Sequence, residues 1–262
     1  MRIIDCHCHV YPDKIAERAS QNTGEFYGLP VRYDGRISTL RQMGAEANID
    51  AHLIFSVATH RGQATSVNRY IAETVAADPS HFVGLGTVHP DDENIEKELD
   101  LIEALGLRGV KLHADIQRVA IDDPRCMKIY ELCRGRLPVL LHTGDYRFSY
   151  SNPENLLPVL KTFPDLLVIG AHLGGWSVWM AAVDKLASYE NLYVDTCSSQ
   201  GFLSPAFVTE IIKRYGAHRV LFGTDYPMWH PKEEVDMLKA LDLSDTEKEA
   251  IFHENAEKLF GF

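Results

Sequence analysis

A chain of 262 residues, 45% of them hydrophobic, can bury a full core as one barrel-sized domain, and no linker divides it. Its 37 acidic and 26 basic residues give a formal net charge of -11, which argues against a surface built for phosphate backbones and for a protein that handles small molecules. Five cysteines, at 6, 8, 126, 133 and 197, lack a framework spacing and fit reduced thiols. The amino terminus sets Arg2 and Asp5 around two apolar residues, without the apolar core of a secretory signal, and the most apolar region, Leu166 to Val183, is broken by His172 and the Gly174-Gly175 pair. A cytoplasmic protein with no membrane span is expected.

Arg2 to His9 reads as the first strand. A long polar segment, residues 11 to 35, follows; it carries Phe26, Tyr27, Pro30 and Tyr33 and is expected to be a lid loop. Arg36 to Asn48 reads as a helix, Ala51 to Ala58 as the second strand, Thr65 to Ala77 as a helix and Phe82 to Val88 as the third strand. Asp91 to Leu105 is helical, Arg108 to Leu112 the fourth strand, Asp123 to Arg134 a helix and Pro138 to Leu141 the fifth strand. The second half repeats the alternation, with helices at Asn152 to Phe163, Trp176 to Ser188 and Pro205 to Tyr215. Strands fall at Leu166 to Gly170, Leu192 to Val194 and Arg219 to Phe222, and two carboxy-terminal helices follow, Ser244 and Glu247 forming a capping box for the last. Eight strands alternating with helices in this length predict a single (β/α)₈ TIM-like barrel over residues 1–262, with its site at the carboxyl ends of the strands.

Residues that bind metal or move protons gather at those ends. In Asp5-Cys6-His7-Cys8-His9, strand alternation sends His7 and His9 to one face as a chelating pair, with Asp5 beneath them, and turns Cys6 and Cys8 toward surrounding helices. Lys111 and His113 end the fourth strand, His142 the fifth, His172 the sixth and Asp225 the eighth. A lone histidine is more often a hydrogen-bonded structural residue. A set of His7, His9, His142 and Asp225 on one barrel rim points instead to a metal site.

With these motifs in place the chain resembles the amidohydrolase superfamily, in its amidohydrolase-related (amidohydrolase 2) branch. The resemblance rests on Asp5 to His9, Gly109-Val110-Lys111-Leu112-His113, Pro138 to Gly144 around His142, Ala171-His172-Leu173-Gly174-Gly175, Phe222 to Pro227 around Asp225, and Asn255-Ala256. It implies a distorted barrel holding one or two divalent metals, bound here by His7, His9, His142 and Asp225, with His172 supporting or catalytic. One zinc ion is the leading expectation, and manganese, iron or cobalt also suit three histidines and an aspartate. Lys111 and His113 are expected to contact substrate; for Lys111 the alternatives are an ion pair with a buried acid or, as in two-metal members, carboxylation and metal bridging.

A divalent cation lowers the pKa of water toward ~7, so metal-dependent hydrolysis of a small amide, ester or lactone is the leading expectation. Asp225 would carry the proton from water to the leaving group, and His172 would hydrogen-bond the developing oxyanion. The resemblance also offers nonoxidative decarboxylation of an unsaturated or aromatic carboxylic acid, as in the aminocarboxymuconate-semialdehyde decarboxylase group. Arginines that would clamp an anion are scarce at the rim, with Arg61 and Arg147 the candidates, which favours hydrolysis. A noncatalytic metal-binding protein on the same barrel is the third alternative. The expected partners are a small-molecule substrate and, at most, further copies of the chain, with no nucleic acid or membrane. Trp176 and Trp179 are expected to pack a helix, and Asp5 to support the site through hydrogen bonds.

Overall fold

The computed structural model describes residues 1–262. Eight strands, β1 (Ile4–His9), β2 (Ala51–Phe55), β3 (Phe82–Gly84), β4 (Val110–Leu112), β5 (Val139–Leu141), β6 (Val168–Gly170), β7 (Leu192–Asp195) and β8 (Val220–Leu221), pair in parallel in chain order. They form two arcs, β1 to β3 and β4 to β8. The arcs join through the bridges Gly86 to Val110 and Cys8 to Tyr226. Lys111 N–H donates to Gly86 O at 2.7 Å and His9 N–H to Tyr226 O at 2.7 Å. The result is the expected (β/α)₈ barrel. No helix is long and apolar enough to cross a membrane.

Strand alternation sorts the core into two layers. Ile4, Cys6, Leu53, Phe55, Leu140, Ile169, Tyr193 and Leu221 fill the barrel interior, closed from below by Ala256 and Phe260. Val110, Leu112, Val139, Leu141, Val194 and Val220 point outward into the layer beneath the helices. Asn255 caps the same end by donating to Ala217 O at 2.8 Å and Val220 O at 2.7 Å, so the Asn255-Ala256 motif is a closure of the barrel floor. The capping box of Ser244 and Glu247 is present.

Three local expectations are corrected. Residues 13–27 of the polar segment form a helix, α1 (Asp13–Tyr27), not a loop. Its buried stripe is the small residues Ala16, Ser20 and Gly24, one per turn, and Gly28 ends it in the left-handed conformation at φ 66°. The helix expected from Trp176 begins at Trp179, because His172, Leu173, Gly174 and Ser177 all have positive φ and make an irregular turn. In β1, Asp5 pairs with His52 but Cys8 pairs with Ile54, so Cys6 and His7 together oppose Leu53. This bulge breaks the alternation. Cys6 therefore packs in the barrel interior instead of against helices, while Cys8 lies in the outer layer as expected.

Candidate metal centre

The interior face of each strand continues into the residues at its carboxyl end. On β4 the outward Val110 and Leu112 leave Lys111 and His113 inward; inward Leu140 is followed by His142, and inward Tyr193 by Asp195. From β1 come His7 and His9, whose Nε2 atoms lie 3.3 Å apart. Asp225, held at φ 59° in the turn after β8, places Oδ1 3.6 Å from His7 Nε2 and 3.7 Å from His9 Nε2. Such edges suit nitrogen and oxygen donors sharing one divalent ion through bonds of ~2.0–2.2 Å.

The donors are in the right chemical form. Asp195 Oδ2 accepts from His7 Nδ1 at 2.8 Å, so Nδ1 carries the proton and Nε2 turns its lone pair into the triangle. Burial pushes His7 and His9 well below the ordinary histidine range, and the nearby Lys111 charge pushes the same way, which keeps both rings neutral and ligating. Burial raises Asp225 to about 6. Lys111 is fully buried, with Nζ 3.5 Å from His7 Nε2 and over the Phe55 ring at 5.2 Å. It makes hydrogen-bond-range contact with no carboxylate, which goes against the alternative of a close ion pair with a buried acid; burial lowers its pKa to about 8.

His142 stands off the triangle. Its ring stacks on that of His113 with centroids 4.0 Å apart, and its Nε2 faces Asp115 Oδ2 at 3.4 Å. His172 fills the gap, its Nε2 3.0 Å from His142 Nδ1 and its ring centroid 5.5 Å from that of His7. The structure thus unites three of the four expected ligands and holds the fourth one imidazole away. His172 Nδ1 lies 3.2 Å from Cys197 O and 3.1 Å from Cys197 Sγ, so that nitrogen has an acceptor for one tautomer and a thiol donor for the other, and burial lowers the ring's pKa to about 4, which keeps it neutral. His113 Nε2 takes the Tyr27 hydroxyl at 2.7 Å.

Asp195 and Tyr27 are the residues that sequence reasoning missed. Asp195 shares its carboxylate between His7 Nδ1 and His172 N–H, the latter at 2.8 Å. Its signal was available, since alternation from Tyr193 puts it on the inward face at a strand end. Tyr27 was visible only as an aromatic in a polar stretch. Asp5 supports the site as expected, but through the backbone: Oδ1 accepts from His7 N–H at 3.1 Å and Thr224 N–H at 3.0 Å, and Oδ2 from Thr224 Oγ1 at 2.6 Å, tying β1 to the turn that carries Asp225.

The triangle opens into a cavity of about 700 Å³ between α1 and the segment after β2. His9, His113, His142, His172 and Asp225 reach it, Tyr11, Phe26, Tyr27 and Tyr70 supply rings, and Asp225 is the one carboxyl group on its wall. Neither arginine proposed as an anion clamp lies on this wall. Arg61 pairs with exposed Glu93. Arg147 is held by Asp145 at 2.6 Å and sits over the rings of Phe26, Tyr27, Phe148 and Trp176 at 5.1–5.8 Å. Trp176 accordingly packs against Arg147 and Tyr27, while Trp179 donates to Ser199 Oγ at 3.0 Å.

Comparison with known proteins agrees with this architecture. A 2-amino-3-carboxymuconate-6-semialdehyde decarboxylase from Dictyostelium discoideum is 23% identical over 238 residues, covering 74% of this chain and 65% of that protein's length. The chain therefore spans about two thirds of the curated relative it matches. An uncharacterised TIM-barrel protein from Bordetella bronchiseptica superimposes with a TM-score of 0.81 at 24% identity, over 100% of this chain and 99% of the other. A dihydroxybenzoic acid decarboxylase from Polaromonas sp. JS666, solved with bound manganese and the inhibitor 2-nitroresorcinol, superimposes with a TM-score of 0.77 at 18% identity, over 99% and 97% of the two chains. The family model described as Amidohydrolase matches residues 4–262, and the chain belongs to that family.

Proposed function

We propose that the protein is a metal-dependent, nonoxidative decarboxylase of an unsaturated or aromatic carboxylic acid. The observation that carries this reading is the electrostatics of the cavity: in a chain of net charge -11, its wall bears one carboxyl group, Asp225, and the cations Lys14 and Arg18. Such a wall admits an acid that most of the surface repels. The decarboxylase names of the Dictyostelium relative and the Polaromonas structure support it further. Hydrolysis led the sequence reading because arginines were scarce at the expected rim, with Arg61 and Arg147 the candidates. That premise loses its force, since Lys111 brings a buried cation to the triangle from β4.

His7, His9 and Asp225 would hold the divalent ion. When bound, the ion supplies Lewis-acid stabilisation of negative charge on a substrate oxygen. Manganese suits this donor set as well as zinc. The remaining work falls to the protein. Lys14 and Arg18 are the wall cations that would meet the substrate's carboxylate, and Lys111, buried behind the wall beside His7, adds positive charge to the donor triangle. The rings of Tyr11, Tyr27 and Tyr70 orient a planar substrate and exclude water. As the bond from carbon to carboxylate breaks and carbon dioxide leaves, the electron pair left on carbon takes a proton. Asp225, the one carboxyl group on the wall, would deliver it from its protonated form, released from the ion, and regain a proton from solvent afterwards.

Incubating the metal-loaded protein with a panel of unsaturated and aromatic acids, esters, amides and lactones, while recording carbon dioxide and acid release separately, tests the reading. Carbon dioxide from an acid substrate is expected. Acid release from an ester, amide or lactone without carbon dioxide would return the function to hydrolysis, and metal binding with no turnover would favour a noncatalytic role. Asp225→Asn is expected to remain folded by circular dichroism and to lose activity by at least ~10²-fold.

A further inference from the structure

The loop after β7 holds a short chain of hydrogen bonds whose direction is fixed by chemistry. Ser198 is buried and lies at φ 48°, in the left-handed region that residues with a side chain seldom adopt. Its hydroxyl contacts Asp225 Oδ2 on one side and Trp229 Nε1, at 2.6 Å, on the other. An indole nitrogen only donates. Trp229 therefore occupies a lone pair of Ser198 Oγ, and the single serine proton is left to point at Asp225 Oδ2. With Oδ2 so engaged, Oδ1 is the oxygen turned to His7 and His9, at 3.6 and 3.7 Å.

We infer that Ser198 and Trp229 are positioning residues for the metal centre: the directed chain Trp229 to Ser198 to Asp225 locks the aspartate so that it presents Oδ1 alone to the ion. The backbone supports the same role. Ser198 and Asp225 both sit at positive φ, and the indole of Trp229 is held in turn by Phe202, their centroids 5.6 Å apart. Two strained positions joined by one bond are what a site shows when surrounding structure fixes a ligand in advance of binding. Of the three donors Ser198 meets only Asp225, and Trp229 meets none, so their effect passes wholly through Asp225. The carboxylate on His7 Nδ1 does the same work for that ligand, which leaves His9 as the one member of the triangle without a comparable brace.

The inference rests on His7, His9 and Asp225 forming the metal centre, and the test separates the two. Metal-depleted protein is titrated with manganese and with zinc against a chromophoric chelator, for wild type, Ser198→Ala, Trp229→Phe and the double variant, with the fold of each checked by circular dichroism. Ser198→Ala is expected to weaken metal binding ~10–100-fold, in line with losses of outer hydrogen bonds to metal ligands. Trp229→Phe keeps the packing on Phe202 and is expected to weaken it less. The double variant is expected to match Ser198→Ala alone, because the indole acts only through the hydroxyl. Ser198→Gly, which relieves the left-handed backbone, serves if the alanine variant does not fold, and the same loss is expected from it. Metal affinity of the serine variants within twofold of wild type, or additive losses in the double variant, would overturn the relay while leaving the metal centre intact. Failure of the wild type to bind either metal overturns both.

Discussion

Asp195 shows how one side chain sets the state of several others. Its carboxylate accepts hydrogen bonds from His7 Nδ1 and from the His172 amide, and its backbone carbonyl accepts from Leu173 N–H at 2.6 Å. His172 and Leu173, at φ 60° and 53°, are consecutive left-handed residues, each costing ~1–3 kcal/mol, and Asp195 offsets that cost by satisfying both amides. Asp195→Asn keeps the shape but leaves one acceptor oxygen for two donors. It is expected to weaken metal binding ~10–100-fold and to lower stability by about 1–3 kcal/mol, read from chelator competition and urea melts. A variant with unchanged metal affinity would show that His7 needs no orienting partner. Lys111 is the converse case, a buried cation that feels the charges of Asp195 and Asp225 but is hydrogen-bonded to neither carboxylate.

Helix α1 is the element that turns a rim into a cavity, and its anchoring is uneven. Its carboxyl end is pinned by Arg147, which donates to Phe26 O at 2.7 Å and stacks on Phe26 and Tyr27, so that the Tyr27 hydroxyl reaches His113. Arg147→Ala removes the pin. Faster amide hydrogen exchange across residues 20–28 is expected, together with a raised KM for the acid substrate and little change in the melting of the barrel, since the strands and their packing are untouched. Exchange rates equal to wild type would exclude the pin. The same helix marks the limit of what the sequence discloses. The strands were legible as short apolar runs alternating with helices, such as Val139 to Leu141 and Leu192 to Val194, and that count placed His142 and Lys111 at the strand ends. Helix α1 was not, because its buried stripe is Ala16, Ser20 and Gly24, too small and polar to read as an apolar face. Gly24 is small for a reason: a Cβ there would stand 2.8 Å from Leu29 O, where the chain folds back along the helix. The off-triangle placing of His142 was equally hidden, since strand phase fixes which way a side chain leaves the barrel wall but not how its ring then turns.

At the scale of the whole molecule, stability should depend on pH through a buried group outside the donor triangle. Glu234 is buried against Gln200, whose Nε2 donates to its Oε2 at 2.9 Å, and burial pushes its pKa up to about 8. The folded protein thus holds a proton there between about pH 4.5 and 8 that the unfolded chain has lost, so its contribution is full below 4.5 and falls as pH rises through that window. Glu234→Gln is expected to flatten the decline, measured as the urea midpoint against pH; parallel curves for the two proteins would assign the dependence elsewhere. The bulge in β1 bears on chain length in another way. Six residues, Ile4–His9, run beside five, Ala51–Phe55, so the first strand is one residue longer than its neighbour requires. Cys6 is the surplus: without it Ile4, His7 and His9 would still face inward and Asp5 and Cys8 outward, in unbroken alternation. What the extra residue adds is one more apolar side chain in the barrel interior, in the same cluster as Leu53 and Phe55. A chain shortened by one residue at this position is expected to keep the inward histidines and lose that part of the interior packing.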